Sequence, residues 1–182
     1  MIKKILIALA ATLVGFAGFV ATRPADFRIT RSAKISAPAD VIFTHVNELK
    51  KWPAWSPWAK MDPQMKVTYS GPEAGVGASY SWVGNNDVGE GSMTITESKP
   101  AELVRFNLRF LKPMEATNVT DFTFTPAGDQ TLVTWSMTGT NGFMSKAFSL
   151  IMNVDKLVGA DFEKGLANLE TVVKTPAPAA GE

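Results

Sequence analysis

Few side chains in this 182-residue chain could do acid–base, nucleophilic or metal chemistry. Cys is absent, which excludes disulfides, thiolate nucleophiles and thiolate metal sites. The single His, His45, cannot build a multi-His metal centre, so no metal and no cofactor are expected. His45 could shuttle a proton, but only Asp40 or Glu48 is near enough in sequence to orient it. Glu90 and Glu115 flank the starts of strand-like stretches and would act as general acid or base only if buried. Arg31 and Asn118 share parity with apolar neighbours and are the candidate polar anchors for a ligand. A buried Arg31 would suit an anionic head group, although such an Arg more often reaches solvent from a strand edge. Asp155 completes the acid–base candidates. Gly75-Val76-Gly77 and Gly89-Glu90-Gly91 lack the Lys-Ser/Thr ending and the strand-to-helix setting of a phosphate loop, and no Gly-x-Ser-x-Gly elbow occurs. No catalytic residue is assigned, and the poverty of reactive types favours binding over chemistry.

Apolar surface is abundant instead. Trp52, Trp55 and Trp58 crowd one short stretch, with Pro53 and Pro57 fixing the backbone between them. Indoles bury a large area and keep one N–H donor, so the cluster reads as the rim of a pocket or as a plug at one end of the core. Further along, alternation puts Tyr80 and Trp82, Met93, Phe106 and Phe110 on inner strand faces. Phe122 and Phe124, then Trp135 and Met137, continue the series. With Phe162 from a helix, these residues are the expected lining of an apolar cavity. The methionines add soft, adaptable surface.

The elements that must position these residues follow from periodicity. Phe27, Ile29, Ala33 and Ile35 alternate with polar residues, a half-buried strand. Ser36 is the expected N-cap region of a helix with Pro38 in its first turn, and the Trp-Pro stretch closes that segment. Strands are expected at 65–70, 77–83, 90–98, 103–110, 115–126 and 131–140, separated by Gly, Pro, Asn and Asp turns. A long amphipathic helix should span 143–174, with a candidate break near Met152-Asn153. Its inward stripe would be Ala147, Ile151, Val154, Val158, Phe162, Leu166, Leu169 and Val173. Gly159 and Gly165 disfavour a helix by about 1 kcal/mol each, which leaves two readings: a close approach to the sheet or a ligand, or neutral drift at tolerated sites.

Hydrophobic residues make up 46% of the chain and charged residues 19%, enough apolar material for one folded domain. Part of that 46% is segregated: residues 5–21 carry no charge, with Lys3 and Lys4 before them and Arg23-Pro24 after. The run is a signal peptide or a membrane anchor. A cut after Ala21 would put Phe19 at a position that wants a small residue, which favours an uncleaved anchor. The cationic start places the N-terminus inside and the domain outside the cytoplasmic membrane, although Arg23, Arg28 and Arg31 weigh against that orientation. Cleavage would instead give a secreted or periplasmic protein. The organisation is therefore 1–26 signal or anchor, 27–174 ligand-binding domain, and 175–182 a Pro/Ala/Gly-rich disordered tail. The net charge is only +1, which argues against nucleic acid as a partner.

The order strand, short helices, six strands, long helix resembles the helix-grip proteins, which comprise START-related lipid-transfer domains, Bet v 1-like proteins and polyketide cyclases. VIFTHVNELKKWPAWSPW (41–58), GEGSMTITESKPAELVRFNLRF (89–110), TLVTWSMTG (131–139) and GADFEKGLANLE (159–170) are similar to segments of the bacterial polyketide cyclase/dehydrase and lipid-transport group. The resemblance covers 27–174. It implies an α+β helix-grip fold, an antiparallel sheet of about seven strands curved around the C-terminal helix. It also implies a hydrophobic small molecule or lipid as partner. No family catalytic motif matches positions in this chain. Three functions stay open: binding of such a ligand by a membrane-tethered domain, cyclase or dehydratase chemistry on a hydrophobic carbonyl compound, and a structural or partner-binding envelope role.

Overall fold

The computed structural model describes residues 1–175. Two layers form the domain: a seven-stranded antiparallel sheet and the helices that cover one face. The strands are β1 (Asp26–Ile35), β2 (Lys66–Ser70), β3 (Ser79–Val83), β4 (Glu90–Lys99), β5 (Leu103–Lys112), β6 (Ala116–Ala127) and β7 (Gln130–Thr140). Their order across the sheet is β1-β7-β6-β5-β4-β3-β2, so every pair but β1–β7 joins sequence neighbours, as short Gly/Pro turns allow. The helices are α1 (Ile2–Ala21), α2 (Ala39–Asn47), α3 (Trp58–Met61), α4 (Phe143–Ser149) and α5 (Val154–Lys174), with a 3-10 turn at Leu49–Ala54. All seven expected strands form, with ends shifted by at most two residues.

Alternation decides the buried face. Ile29 and Ile35 on β1, Met93 and Ile95 on β4, Val104 and Phe106 on β5, and Phe122 and Phe124 on β6 are all buried. The outer face carries an exposed ion-pair cluster, in which Arg105 bridges Asp121 at 2.8 Å and Glu97 at 2.9 Å. From the helical side, Ile42 and Val46 of α2 and Phe162, Leu166 and Leu169 of α5 complete the core.

Three local expectations change. The helix expected over 143–174 is two helices, and Asn153 caps the second by accepting a 2.9 Å hydrogen bond from the Lys156 amide. Ile151 falls in the connection and is 86% exposed, so it leaves the inward stripe. Ser36 does not cap α2: Pro38 occupies the N-cap, and the Ser36 hydroxyl accepts from Gln130 Nε2 at 2.9 Å instead. The expected tail lies outside the described residues except for Thr175. By length and composition α1 could cross a membrane, as an anchor or a signal sequence could.

Candidate ligand-binding cavity

Between the inner sheet face and the helices lies a cavity of about 340 Å³, within the range of small-molecule sites. Trp82, Met93, Leu108 and Phe110 form its sheet wall, Trp52 and Trp58 one side, and Val158 and Phe162 of α5 the cover. Tyr80, Trp135 and Met137 also line it. Nine of the expected lining residues therefore meet at one space.

Trp55, Phe106, Phe122 and Phe124 do not line it, which corrects their assignment as wall. Trp55 is fully buried, and its Nε1 donates to the His45 carbonyl at 3.1 Å. Trp52 Nε1 donates likewise to the Val46 carbonyl at 2.8 Å. The last carbonyls of a helix have no partner within it, so the two indoles close the C-terminus of α2 while their rings enter the core. Phe106 and Phe122 lie behind Trp52, with ring centroids 5.4 and 5.9 Å away. Phe124 packs edge-on against Phe43 at 5.9 Å. The Trp stretch thus divides its labour: Trp55 is plug, Trp58 is wall, and Trp52 is both.

The candidate polar anchors lie elsewhere. Arg31 donates to Asp155 at 3.0 Å and to Glu163 at 2.8 Å, and to the backbone carbonyls of Thr30 and Asp155. It clasps β1 to α5 beside Trp135, its cross-strand partner, and is not among the lining residues. A Cβ on Gly159 would collide with its guanidinium, which explains that glycine. Hydrogen bonding from Arg31 holds the Asp155 carboxyl below its ordinary range, so Asp155 is an ion-pair partner. Asn118 is buried with its amide 3.7 Å from Met137 Sδ, one side chain behind the wall. Neither His45, Glu90 nor Glu115 lines the cavity.

What sequence reading missed is polar. Thr120 and Trp135 both line the cavity, and Thr120 Oγ1 and Trp135 Nε1 are buried with no hydrogen-bond partner among the described residues. Their strands pair Thr120 with Met137 and Phe122 with Trp135, so they are diagonal neighbours on one face. Thr120 shares the parity of Phe122 and Phe124, a signal that was present. Asp161 also lines the space; burial pushes its carboxyl up, opposed by Lys164. It sits three residues after Val158, so the helical stripe could have found it. Burial likewise pushes the Tyr80 phenol above its ordinary range, leaving it a protonated donor. Asn86, Asp87, Lys112 and Pro113 are exposed lining residues at one end, and Pro53 and Tyr69 are exposed along the β2 edge. The cavity is an apolar chamber with two open polar atoms on its floor and charge only toward its mouth and cover.

An antiparallel sheet closed by one long helix over an apolar chamber defines a helix-grip protein of α+β class. Residues 26–174 match the family described as polyketide cyclase / dehydrase and lipid transport, and the chain belongs to it. That description points to hydrophobic ligands. Comparison with curated proteins found no match. Solved structures share the fold. Protein CV1439 from Chromobacterium violaceum is 15% identical, with 84% of this chain and 99% of that one covered and a TM-score of 0.59. The Aha1 dimer from Colwellia psychrerythraea gives the same identity, coverage and TM-score. Ara h 8.0201 is 12% identical, over 81% of this chain and 97% of its own, with a TM-score of 0.57.

Proposed function

We propose that this domain is a non-catalytic carrier of a hydrophobic small molecule or lipid, tethered by α1 outside the bacterial cytoplasmic membrane. The carrying observation is the apolar cavity whose only buried open hydrogen-bonding atoms, among the described residues, are Thr120 Oγ1 and Trp135 Nε1. An unpartnered buried polar atom is disfavoured by about 1–3 kcal/mol, so the matching ligand is mostly apolar and carries one uncharged oxygen, such as a carbonyl, ester or hydroxyl. Lys112, at the exposed mouth, is the only cation lining the cavity among the described residues, and Arg31, opposite Trp135 on β1, is already paired with Asp155 and Glu163, so no free cation is placed there to neutralise a carboxylate. Affinity comes from buried apolar area at about 25 cal/mol per Å², and orientation from the two polar atoms. Trp52, Trp58, Tyr80, Trp82 and Met93 are the ligand contacts from one half of the wall, and Phe110, Trp135, Met137 and Phe162 from the other.

Enzymatic action would require an acid or base in the chamber. None of Arg31, His45, Glu90, Glu115 and Asp155 lines it, and Asp161 is the half-buried carboxylate on which such chemistry would have to rest.

The test is to extract the full chain from its membrane, purify it, and identify co-purified molecules by solvent extraction and mass spectrometry. Wild type should retain an oxygen-bearing apolar molecule. Leu108→Trp, which pushes a larger half-buried side chain into the space, should reduce its occupancy at least about tenfold. Equal occupancy in the folded variant would refute the assigned cavity.

A further inference from the structure

Of the domain's thirteen exposed large apolar residues, seven fall in one stretch, residues 143–157, and the other six are scattered. Met144 and Phe148 of α4, Ile151 and Met152 of the connection, and Leu157 of α5 are 67%, 46%, 86%, 38% and 51% exposed. A run of this kind marks an interaction surface, because water alone disfavours it. Its position names the occupant. α4 packs against α1, and Val20 in the last turn of α1 is buried. Only residues 22–25 separate α1 from β1, a link that reaches at most about 14 Å. A 20-residue helix is about 30 Å long, the thickness of a bilayer's hydrocarbon core. If α1 spans, the patch can never be far from the lipid surface. Basic residues predominate: Arg23, Arg28, Lys146 and Lys156 lie on the same stretches, while of the acidic residues there Asp155 is held by Arg31 and Asp26 accepts a hydrogen bond from Thr140.

Strand register places the cavity mouth at the same end. Asp26 pairs with Thr140, Phe110 with Ala116, Glu90 with Lys112, and Val83 with Glu90. The start of β1, the end of β7 leading into α4, and the turns carrying Asn86, Asp87, Lys112 and Pro113 therefore share one end of the sheet. Exposed Met114 lies in one of those turns, at 45%.

We propose that the face formed by α4, its connection to α5 and the first turn of α5 docks on the bilayer that α1 spans. Its apolar side chains enter the interface and the cavity mouth is presented to the lipid. The proposal rests on α1 being an uncleaved span and deepens the carrier function: the ligand exchanges with the adjacent leaflet without crossing open water.

The absence of native Cys makes the test clean. Single variants Met144→Cys, Ile151→Cys, Asp129→Cys and Gly15→Cys of the full chain are labelled with a fluorophore. They are reconstituted in phosphatidylethanolamine/phosphatidylglycerol vesicles containing nitroxide-labelled lipid. Labels at 144 and 151 should be quenched several-fold, as should the control at 15 within α1, while 129, in the turn at the opposite end of the sheet, stays bright. Quenching at 15 with 144 and 151 as bright as 129 overturns docking and leaves the anchor intact; that outcome fits a face that serves a protein partner instead of lipid. An unquenched label at 15 overturns the span and docking together. Quenching at 144 that persists when Leu108→Trp empties the cavity shows docking independent of ligand, so failure of the carrier function is read separately.

Discussion

At the scale of single residues, two glycines in α5 look alike in sequence and differ in what they adjoin. A Cβ on Gly165 would lie 2.7 Å from the Trp135 ring, a rigid wall stacked at 4.1 Å on Phe162. A Cβ on Gly159 would meet only the end of the flexible Arg31 side chain. Gly165→Ala should therefore destabilise the detergent-solubilised chain by about 1–3 kcal/mol through overpacking. Gly159→Ala should stay within about 1 kcal/mol of wild type, because the helix gain offsets an exposed ion pair worth little. Thermal unfolding of both variants checks the contrast, and equal losses would contradict it. His45 supplies a pH dependence. Burial lowers its pKa from the ordinary 6.5, with Lys51 adding to the effect, and its Nδ1 has no partner among the described residues. As pH falls below 6.5 the unfolded chain takes up a proton that the folded chain resists. Stability therefore drops through that window and levels off below the folded value. His45→Gln lacks this component, so its melting temperature should gain on wild type between about pH 7.5 and about pH 5. A constant difference would count against the half-buried imidazole as the source.

At the scale of elements, the Trp stretch joins fold to site. Prolines and aromatics make it a 3-10 turn and a short helix, which set Trp55 inward beneath α2 and Trp58 against the chamber, 5.7 Å from Trp135. Trp55→Phe should lose the bond to the His45 carbonyl and about 1–2 kcal/mol of stability while leaving ligand occupancy unchanged. Trp58→Ala should leave stability nearer wild type, since Trp58 is only half-buried, and lower occupancy. Mass spectrometry of co-purified ligand alongside thermal unfolding separates the two, and the reverse pattern would exchange their roles. The α5–β1 clasp through Arg31 belongs to the same scale: it ties the cover to the sheet through Asp155 and Glu163, where a ligand-binding Arg was a sequence-based candidate.

At the scale of the whole molecule, the apolar content splits into three parts with different solvents. α1 is exposed along nearly its whole length, the sheet–helix interior is apolar core and chamber, and the α4 face is a surface patch. An uncleaved α1 is the condition for membrane tethering. Intact-mass measurement of membrane-extracted protein should find residues 5–21 retained, and a mass lacking them would make the protein secreted or periplasmic.

How much was legible in sequence follows from which interactions are local. Period-two alternation over 27–35, 90–98 and 131–140, Gly/Pro turns between strands, and the 143–174 helical stripe depend on backbone geometry within a few residues, and these gave the strands, their inner faces and the fold class. They could not separate Phe106 from Phe110, or Trp55 from Trp58, because parity says only that a residue faces inward. Whether it meets protein or open space depends on where α5 and the Trp stretch come to rest above it. Arg31 shows the same limit, since its partner Asp155 is 124 residues away and only closure of the helix over β1 brings them together. The two unpartnered polar atoms on the floor, and the shared end at which the α4 face and the cavity mouth meet, are likewise products of long-range pairing. The sequence by itself determined the secondary pattern and the neutral, apolar character of the domain. Tertiary packing alone decided which of its aromatics enclose a space and which way that space opens.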